Sequence, residues 1–325
     1  MAVTYAPVMA ETAYYEQACN ERSRSILKVC KHVGPGNGAK QCDAVKAGTA
    51  NVCTLHPHSK NISGLEVNGR TAVIEQQFYD HGYHIIGVQE GRNRYEQYID
   101  STYYHMFVTA ASAEGLYGVQ LWIAKQRFYI PKAIRILSTR LIMLATIEKQ
   151  SKHVYICISG HAPTEAALAS EKECFYDALH SNLRGMHSAY PSALVVCCLD
   201  ANGTVGQTKA NGIGECQPER ETANGALLRN FLTEFQLYAV NTYFQAGPTW
   251  VSGHGNSRRI DYIITCSKVH CNTLESFTDK ELEIGTTAKI DHYVVAAEFE
   301  QPQGALGIQP SKARLRINVT SILIV

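Results

Sequence analysis

The sequence predicts an α/β fold in which two mixed β-sheets pack together and helices cover their outer faces. Three features lead to this prediction. Residues 193–199 are apolar at every position, as in a strand buried on both faces. Helical patterns at 70–81 and 165–183 alternate with strand-like runs, and the section 103–159 is rich in β-forming residues with little helix.

The elements follow a leader, residues 1–47, which is predicted to be poorly structured because it shows no clear periodicity. In chain order the predicted elements are strand 50–55, helix 70–81, strands 84–88, 104–109, 119–124, 134–137, 141–147 and 154–158, helix 165–183, strand 193–199, helix 226–235, and strands 260–265 and 293–299. The five strands between 104 and 158 are expected to form an antiparallel meander. The domain is predicted to span 48–300, with a tail at 301–325.

Composition limits the function classes. The chain has 325 residues, 45% hydrophobic and 18% charged, which is ordinary for a soluble globular enzyme. Its formal net charge of +1 gives no overall attraction to nucleic acid, so such a surface must be a local patch. The 11 cysteines include no Cys-x-x-Cys pair, which indicates a reducing, intracellular setting without structural zinc. No secretory signal and no run of about 20 apolar residues is present, so no membrane association is expected.

Polar side chains that can bind metal or phosphate stand at the ends of the apolar runs. They are Asn51, Glu90, His161, Asp200 with Asn202, Asp261, and Asp291 with His292. Each lies where a buried strand would end and a loop begin, so one sheet edge can bring residues distant in the sequence into one pocket. Together they indicate Mg²⁺-dependent phosphodiester hydrolysis.

Hydrolysis of a phosphodiester needs neutralisation of the phosphate charge, an activated water and a proton for the departing oxygen. Asn51, Glu90 and Asp291 offer the oxygen ligands that Mg²⁺ prefers. His161 lies in a turn and is a candidate to protonate the leaving oxygen. Each of these residues also has a plain explanation as a loop, capping or surface residue.

Two pairs suggest more specific roles. If Asp200-Ala201-Asn202 is extended, the two polar side chains share an orientation, which suits one for the water proton and the other for a phosphate oxygen. An Asx turn closing the strand is the alternative. Asp261 is placed to orient His292 by accepting its other ring hydrogen, and a structural His–Asp pair is the alternative there.

The ordered series matches a known family. Thr49-Ala50-Asn51-Val52, Gln89-Glu90, His161-Ala162-Pro163, Asp200-Ala201-Asn202, Arg259-Ile260-Asp261-Tyr262-Ile263 and Asp291-His292 resemble, in order, the motifs of the endonuclease/exonuclease/phosphatase superfamily. The resemblance spans about residues 48–300. Thr249-Trp250, shortly before the Asp261 motif, is most similar to the endonuclease domains of non-LTR retrotransposons and their domesticated relatives.

The resemblance implies a four-layer α/β sandwich with its site at one edge of the two sheets. It also implies that Glu90 and Asn51 hold Mg²⁺, for which Mn²⁺ is a substitute, and that Asp291 lies near a second metal position. Arg92 and Trp250 are candidates to contact nucleic acid.

The same resemblance assigns the remaining roles. Asp200 and Asn202 would handle the nucleophilic water and the phosphate, and His292, oriented by Asp261, would contact the scissile phosphate. His161 is typical of the pancreatic-type and sphingomyelinase-type branches, whereas the apurinic and retrotransposon branches usually have Tyr there.

Two positions depart from the family pattern: Leu199 replaces a usual Gly, and Ile290 replaces a usual Ser. Loop geometry or a supporting hydrogen bond is expected to differ at these points.

The sequence therefore favours a DNA endonuclease that nicks the backbone with Mg²⁺ and acts as a monomer inside the cell, with the nucleus suggested by the substrate. One alternative is a phosphatase or phosphodiesterase that acts on a small or lipid phosphate. The other is a non-catalytic remnant of a retroelement endonuclease.

Overall fold

The computed structural model describes residues 44–55, 69–206, 212–284 and 291–302, and the structural statements below refer to these residues. The helices are α1 (Arg70–Asp80), α2 (Ala169–Ala189), α3 (Ala223–Phe235) and α4 (Ser267–His270), with a 3-10 turn at Val240–Thr242. The strands are β1 (Ala44–Asn51), β2 (Ile85–Gln89), β3 (Gln97–Asp100), β4 (Tyr104–Val108), β5 (Gln120–Ala124), β6 (Ala133–Ser138), β7 (Leu141–Ile147), β8 (Val154–His161), β9 (Leu194–Asp200), β10 (Leu237–Ala239), β11 (Trp250–Val251), β12 (Ser257–Arg258), β13 (Asp261–Cys266), β14 (Thr273–Asp279) and β15 (Val294–Glu300).

The strands form two large sheets and one small hairpin. The seven-stranded sheet has the order β14-β15-β1-β2-β5-β4-β3, and the six-stranded sheet has the order β10-β13-β9-β8-β7-β6. Within these sheets β1 and β2 run parallel, as do β8 and β9, and the other paired strands run antiparallel. Both sheets are therefore mixed, as the sequence predicted. Strands β11 and β12 form the hairpin.

The sheets pack face to face around an apolar core to which both contribute. Val45 and Leu121 belong to the seven-stranded sheet, and Tyr155, Val196 and Ile263 belong to the six-stranded one; all five side chains are buried in the same cluster. Burial of such side chains is the main favourable term in folding. Further apolar clusters lie on the outer faces of both sheets, so the central strands are apolar on both sides.

Helices cover the outer faces. Helix α1 buries Ile74 and Phe78 against the seven-stranded sheet, where Phe78 meets Trp122 edge-on at a centroid distance of 6.0 Å. Helices α2 and α3 bury Leu179 and Phe231 in the cluster that covers the six-stranded sheet. The order helix, sheet, sheet, helix confirms the four-layer α/β sandwich.

Element boundaries differ from the predictions where polar side chains have tertiary partners. Helix α2 begins at Ala169 rather than at Glu165, and the Glu165 carboxylate accepts hydrogen bonds from the N–H groups of Ala223 and Asn224 at 3.0 and 3.2 Å. A carboxylate at that place satisfies otherwise unpaired donors at the start of α3. Strand β7 matches its prediction, Leu141–Ile147.

The predicted single meander at 104–158 was wrong. Strands β4 and β5 pair in the seven-stranded sheet, whereas β6, β7 and β8 pair in the six-stranded sheet. The turn 125–132 carries the chain from one sheet to the other, and strand-like composition does not specify that change. Gln97–Asp100 and Thr273–Asp279 were missed because these edge strands are partly exposed and lack an apolar run.

The predicted leader and tail lie mostly outside the described residues. Strand β1 begins at Ala44, four residues before the predicted domain start at 48, and residues 1–43 and 303–325 are not described. The domain division therefore stays a prediction. Among the described helices, none combines the length and the apolar character needed to cross a membrane.

The described cysteines are mostly free thiols. Cys157, Cys197 and Cys198 are buried within strands, where burial raises the pKa of each thiol. They act as small apolar residues, as predicted. Cys271 is disulfide-bonded.

Gly87 of β2 packs closely against β8 and β9 of the other sheet. A Cβ atom at Gly87 would lie 2.3 Å from the Cβ of Cys198 and 3.1 Å from the Ser159 Oγ. We therefore expect Gly87→Ala to lower the free energy of unfolding by about 1–3 kcal/mol, as overpacked cores do. Urea unfolding measures this, with Gly253→Ala as the control because nothing lies within 4 Å of that position. Equal stabilities of the two variants would contradict the close approach.

The buried His270 should make the free energy of unfolding fall at acidic pH. It stacks on Tyr238 at a centroid distance of 4.4 Å, and its Nδ1 is buried without a hydrogen-bond partner. Burial lowers the pKa of His270 from 6.5 to about 4. The folded protein therefore binds fewer protons than the unfolded chain, so this contribution is complete above pH 6.5 and is lost as pH falls toward 4.

Between pH 6.5 and pH 4, the contribution of His270 to the free energy of unfolding should fall by about 3 kcal/mol. Urea unfolding at pH 7 and pH 4.5 should show that His270→Phe loses about 2 kcal/mol less stability on acidification than the unmodified chain. His254→Phe, at an exposed turn, should behave as the unmodified chain does. A His270→Phe variant with unchanged acid sensitivity would refute the assignment.

Candidate active site

Strand register places three predicted residues side by side in the six-stranded sheet. His161 ends β8 and pairs with Asp200, which ends the parallel neighbour β9. Asp261 begins β13 and also pairs with Asp200, because β13 runs antiparallel to β9. The carboxyl ends of two strands and the amino end of the third therefore meet at one edge.

The seven-stranded sheet supplies the other residues at the same edge. Asn51 ends β1 and pairs with Gln89, so Glu90 follows directly. Strand β15 runs antiparallel to β1 and begins beside its end, which brings in Asp291 and His292 just before Val294. His292 also forms a bridge with Trp250 of the hairpin.

Side-chain contacts join the two sheets at this edge. The Asn51 Nδ2 donates to the Asp200 Oδ2 at 3.1 Å and to the Glu90 Oε1 at 3.3 Å. The His161 Nε2 lies 3.7 Å from the Asp200 Oδ2 and 3.9 Å from the Glu90 Oε1. Four predicted residues from four strand ends therefore form one contiguous polar group.

Asp261 is held by Thr249 as well as by His292. The Thr249 hydroxyl donates to the Asp261 Oδ2 at 2.6 Å and accepts from the backbone N–H groups of Ile260 and Asp261 at 3.0 and 3.1 Å. The His292 Nδ1 lies 3.2 Å from the same carboxylate oxygen. This contact leaves the other ring nitrogen of His292 available for a ligand.

The pKa values of Asp200 and His292 are both raised. Burial, and then the neighbouring Asp261, raise the pKa of the Asp200 carboxyl. Burial would lower the pKa of His292, but Asp261, Asp200 and Asp291 outweigh it and raise that pKa to about 9. At neutral pH His292 is therefore a buried cation beside carboxylates.

The pKa values of Glu90 and His161 fall. Burial would raise the pKa of Glu90, but His161, Arg92 and Asn51 outweigh it, so the carboxylate stays ionised. Burial is the main cause that lowers the pKa of His161. The leaving-group role of His161 stays a prediction.

Asn202 differs from the extended geometry expected from the sequence. Its φ is 47°, in the left-handed region, and its backbone N–H donates to the Asp200 Oδ1 at 3.0 Å. This is the Asx turn that was the alternative. The Asn202 Nδ2 donates to the Ala162 carbonyl at 2.9 Å, which leaves one amide hydrogen for another acceptor.

Unusual backbone conformations cluster at this edge. Glu90, Arg92 and Tyr117 have φ values of 55°, 52° and 66°, in the region that residues other than glycine rarely adopt. The surrounding hydrogen bonds hold them there, including one from the Arg92 N–H to the Tyr117 carbonyl at 2.9 Å. Such conformations concentrate at functional sites.

The donor set fits a divalent cation. Atoms of Asp200, Asp261 and His292 lie within 4.8 Å of one another, and the buried Asp261 Oδ1 has no hydrogen-bond partner. With His292 protonated, the two carboxylates are the groups of this cluster that can bind a metal. Two adjacent buried carboxylates, one of them incompletely satisfied, favour a positive charge between them. Asn51 directs its amide nitrogen, not its oxygen, toward Glu90, so it must turn over to serve as a ligand.

The two residues predicted to contact nucleic acid lie beside other residues of the site. The Arg92 Nη2 lies 2.6 Å from the Glu90 Oε2, so Arg92 folds back on the site. Trp250 is half-buried beside His292.

The first position that departs from the family pattern, Leu199, packs between the six-stranded sheet and its helices. Its Cδ1 would lie only 2.8 Å from a Cβ at residue 160, so Gly160 makes room for the leucine. Ile290 lies outside the described residues.

Two supporting residues were missed by the sequence prediction. Thr249 appeared in a matched motif but had no role, and only the fold reveals its contact with Asp261. The Arg140 Nη1 donates to the carbonyls of His161 and Ala162 at 3.2 and 3.3 Å, and its guanidinium lies 3.5 Å from the Tyr117 ring centroid. No sequence signal distinguishes Arg140 from other strand-flanking arginines.

Comparison with solved structures gives several matches of similar fold. The AP endonuclease LMAP from Leishmania major matches with a TM-score of 0.59 and 13% identity over 89% of this chain and 99% of that one. The 3′ phosphatase NExo from Neisseria, bound to a product DNA hairpin, matches with a TM-score of 0.55 and 18% identity over 79% and 100%.

The endonuclease domain of TRAS1, a telomere-specific non-LTR retrotransposon, matches with a TM-score of 0.54 and 14% identity over 80% of this chain and all of that one. No protein-family model matches the sequence, and no curated protein matches it. At these identities the likeness is one of fold.

Proposed function

Because this chain has the fold of the endonuclease/exonuclease/phosphatase superfamily, we propose that it is a metal-dependent phosphodiesterase, and specifically a DNA endonuclease that nicks the backbone. One observation carries the proposal. Asn51, Glu90, His161, Asp200 and Asp261 meet at a single edge of the two sheets, with His292 against Asp261. Carboxylates can bind a divalent cation or accept a proton from water, and a charged imidazole can hydrogen-bond to a phosphate.

Each residue has a role that its setting supports. Asp200, whose carboxyl pKa is raised, accepts the proton of the attacking water. His292, kept cationic by Asp261, contacts a phosphate oxygen through its free ring nitrogen. Asn202 uses its remaining amide hydrogen to hold another phosphate oxygen.

Glu90 is the main candidate ligand for Mg²⁺ or Mn²⁺, with Asn51 and Asp291 as further oxygen ligands, and the Asp200 and Asp261 carboxylates offer adjacent ligand atoms. When bound, the cation would neutralise phosphate charge. His161, whose Nε2 lies 3.7 Å from the Asp200 carboxylate and 3.9 Å from the Glu90 carboxylate, is the candidate to protonate the leaving oxygen.

DNA is the proposed substrate. The fold neighbours include a phosphatase solved with a DNA hairpin and a retrotransposon endonuclease domain, which supports this choice by analogy. Arg92 and Trp250 stand at the rim of the site and would contact the DNA backbone once Arg92 leaves Glu90. We expect a monomer that acts inside the cell, with the nucleus as the location implied by DNA.

Nicking of supercoiled plasmid by the full chain tests the proposal, with Mg²⁺, with Mn²⁺ and with EDTA. We expect conversion to open circle with the metal and none with EDTA. If a folded protein does not nick, hydrolysis of bis(p-nitrophenyl) phosphate and of an inositol phosphate separates the two alternatives. Turnover there would assign a small-phosphate enzyme, and no turnover on any substrate would assign a non-catalytic remnant.

A further inference from the structure

A second polar surface lies at the opposite end of the sheets from the candidate active site. The turn 125–132 follows β5, and the turn 148–153 joins β7 to β8. Strand β8 runs from Val154 at this end to His161 at the site. At about 3.3 Å per residue the two ends are roughly 23 Å apart.

Two lysines converge on one exposed aromatic ring at this end. The Lys152 Nζ lies 5.1 Å and the Lys149 Nζ 5.7 Å from the centroid of the Tyr129 ring. The Lys152 Nζ also donates to the Tyr129 hydroxyl at 3.0 Å. Tyr129 is 45% exposed and its neighbour Ile130 is 50% exposed, so a large aromatic and apolar surface faces solvent between cations.

The ring and the lysines are held in place by hydrogen bonds between the two turns. The Tyr129 N–H donates to the Ile147 carbonyl at 2.9 Å, and the Thr146 hydroxyl donates to the Tyr129 carbonyl at 2.6 Å. The Lys149 Nζ donates to the Lys125 carbonyl at 2.5 Å. The surface is therefore built on strand ends rather than on a free loop.

This end of the molecule carries unbalanced positive charge. Glu148 is fully buried and pairs with Arg127 at 2.9 Å, and Asp100 pairs with Lys125 at 2.5 Å. Within the described part of the chain no carboxylate pairs with the remaining three lysines, which are Lys132, Lys149 and Lys152. Like charges this close repel one another, and a bound polyanion relieves that repulsion.

We propose that this basic patch, defined as Tyr129, Ile130, Lys132, Lys149 and Lys152, binds single-stranded nucleic acid. Its lysines contact phosphates and a base stacks on the Tyr129 ring, the combination by which proteins bind single strands without base-specific contacts. An acidic peptide would use the lysines but not the exposed ring. Because the patch is roughly 23 Å from the site, it contacts a part of the strand other than the one hydrolysed.

Fluorescence anisotropy of a labelled 20-nucleotide oligothymidine tests the proposal, with the full chain in EDTA so that metal-dependent cleavage does not occur. We expect Lys152→Glu to weaken binding about tenfold at 50 mM salt. In the double variant Lys149→Glu with Lys152→Glu, the slope of log affinity against log salt concentration should fall by about one or more, which corresponds to the loss of at least one phosphate contact. Tyr129→Ala should weaken binding, while Tyr129→Phe should retain it because the ring remains.

Arg184→Glu is the matched control, since it makes the same charge change on an exposed side chain of α2. Equal oligothymidine affinities of Lys152→Glu and Arg184→Glu would overturn the proposal. Binding of polyglutamate through Lys152 without oligothymidine binding would assign the patch to an acidic protein and would also overturn it. Thermal unfolding confirms that each variant is folded.

The outcome is independent of the proposed hydrolysis. Lys152→Glu should hydrolyse bis(p-nitrophenyl) phosphate at the same rate as the unmodified chain, because that substrate is too small to reach the patch. A chain that binds oligothymidine through Lys152 but hydrolyses nothing would retain this inference and refute the proposed function.

Discussion

Glu90→Gln is expected to reduce metal-dependent hydrolysis on the order of a thousandfold while the fold is retained. The substitution keeps the shape of the side chain and removes the charge that a divalent cation needs. Glu90 is kept ionised by His161, Arg92 and Asn51, so the charge is present throughout the neutral range. Plasmid nicking rates and the Mg²⁺ dependence of nicking measure the effect.

Stability separates this loss from unfolding. The Arg92–Glu90 ion pair is partly exposed, so its removal should change the free energy of unfolding by no more than about 1 kcal/mol. Glu96→Gln is the matched control, since it makes the same chemical change at an exposed position six residues away. A Glu90→Gln variant as active as Glu96→Gln would remove Glu90 from the site.

His292→Ala is expected to lower the hydrolysis rate about a hundredfold to a thousandfold, because it removes the cation that we propose contacts the phosphate. It also leaves the buried Asp261 carboxylate with Thr249 as its side-chain partner, which should cost about 1–3 kcal/mol of stability. Single-turnover kinetics and urea unfolding measure the two effects separately. His254→Ala, in the exposed hairpin turn, is the control.

A double-mutant cycle shows whether Asp261 acts through His292. If Asp261 serves to hold His292 in its charged, oriented form, Asp261→Asn combined with His292→Ala should be no slower than His292→Ala alone. If the rate loss of the double variant instead equals the product of the two single losses, Asp261 has a role separate from His292. Its proximity to Asp200 would then explain that role.

The architecture could be predicted because burial imposes a strong pattern on the strands. Leu194–Asp200 is buried at every position, and its apolar letters predict both the strand and its end at the first polar residue. The same logic located Glu90, whereas Asn51 stands near the start of the predicted strand 50–55 and ends the observed strand Ala44–Asn51. Partly exposed edge strands such as Gln97–Asp100 lack this pattern and were missed.

The contacts within the site could not be predicted in the same way. Asn202 adopts a left-handed turn because its N–H is captured by the Asp200 carboxylate, a local competition that the composition of Asp-Ala-Asn leaves open. The charge states of His161 and His292 depend on burial and on the number of carboxylates around each ring. Both are properties of the assembled fold.

The hydrogen bond from Asn51 to Asp200 crosses the boundary between the two sheets. The candidate site is therefore divided between two layers that are joined chiefly by apolar packing. A small slip of one layer over the other would separate the halves of the site before either layer unfolds. On heating, hydrolysis should fail at a lower temperature than the loss of secondary structure. Substitutions such as Gly87→Ala, which force the layers apart, should widen that interval.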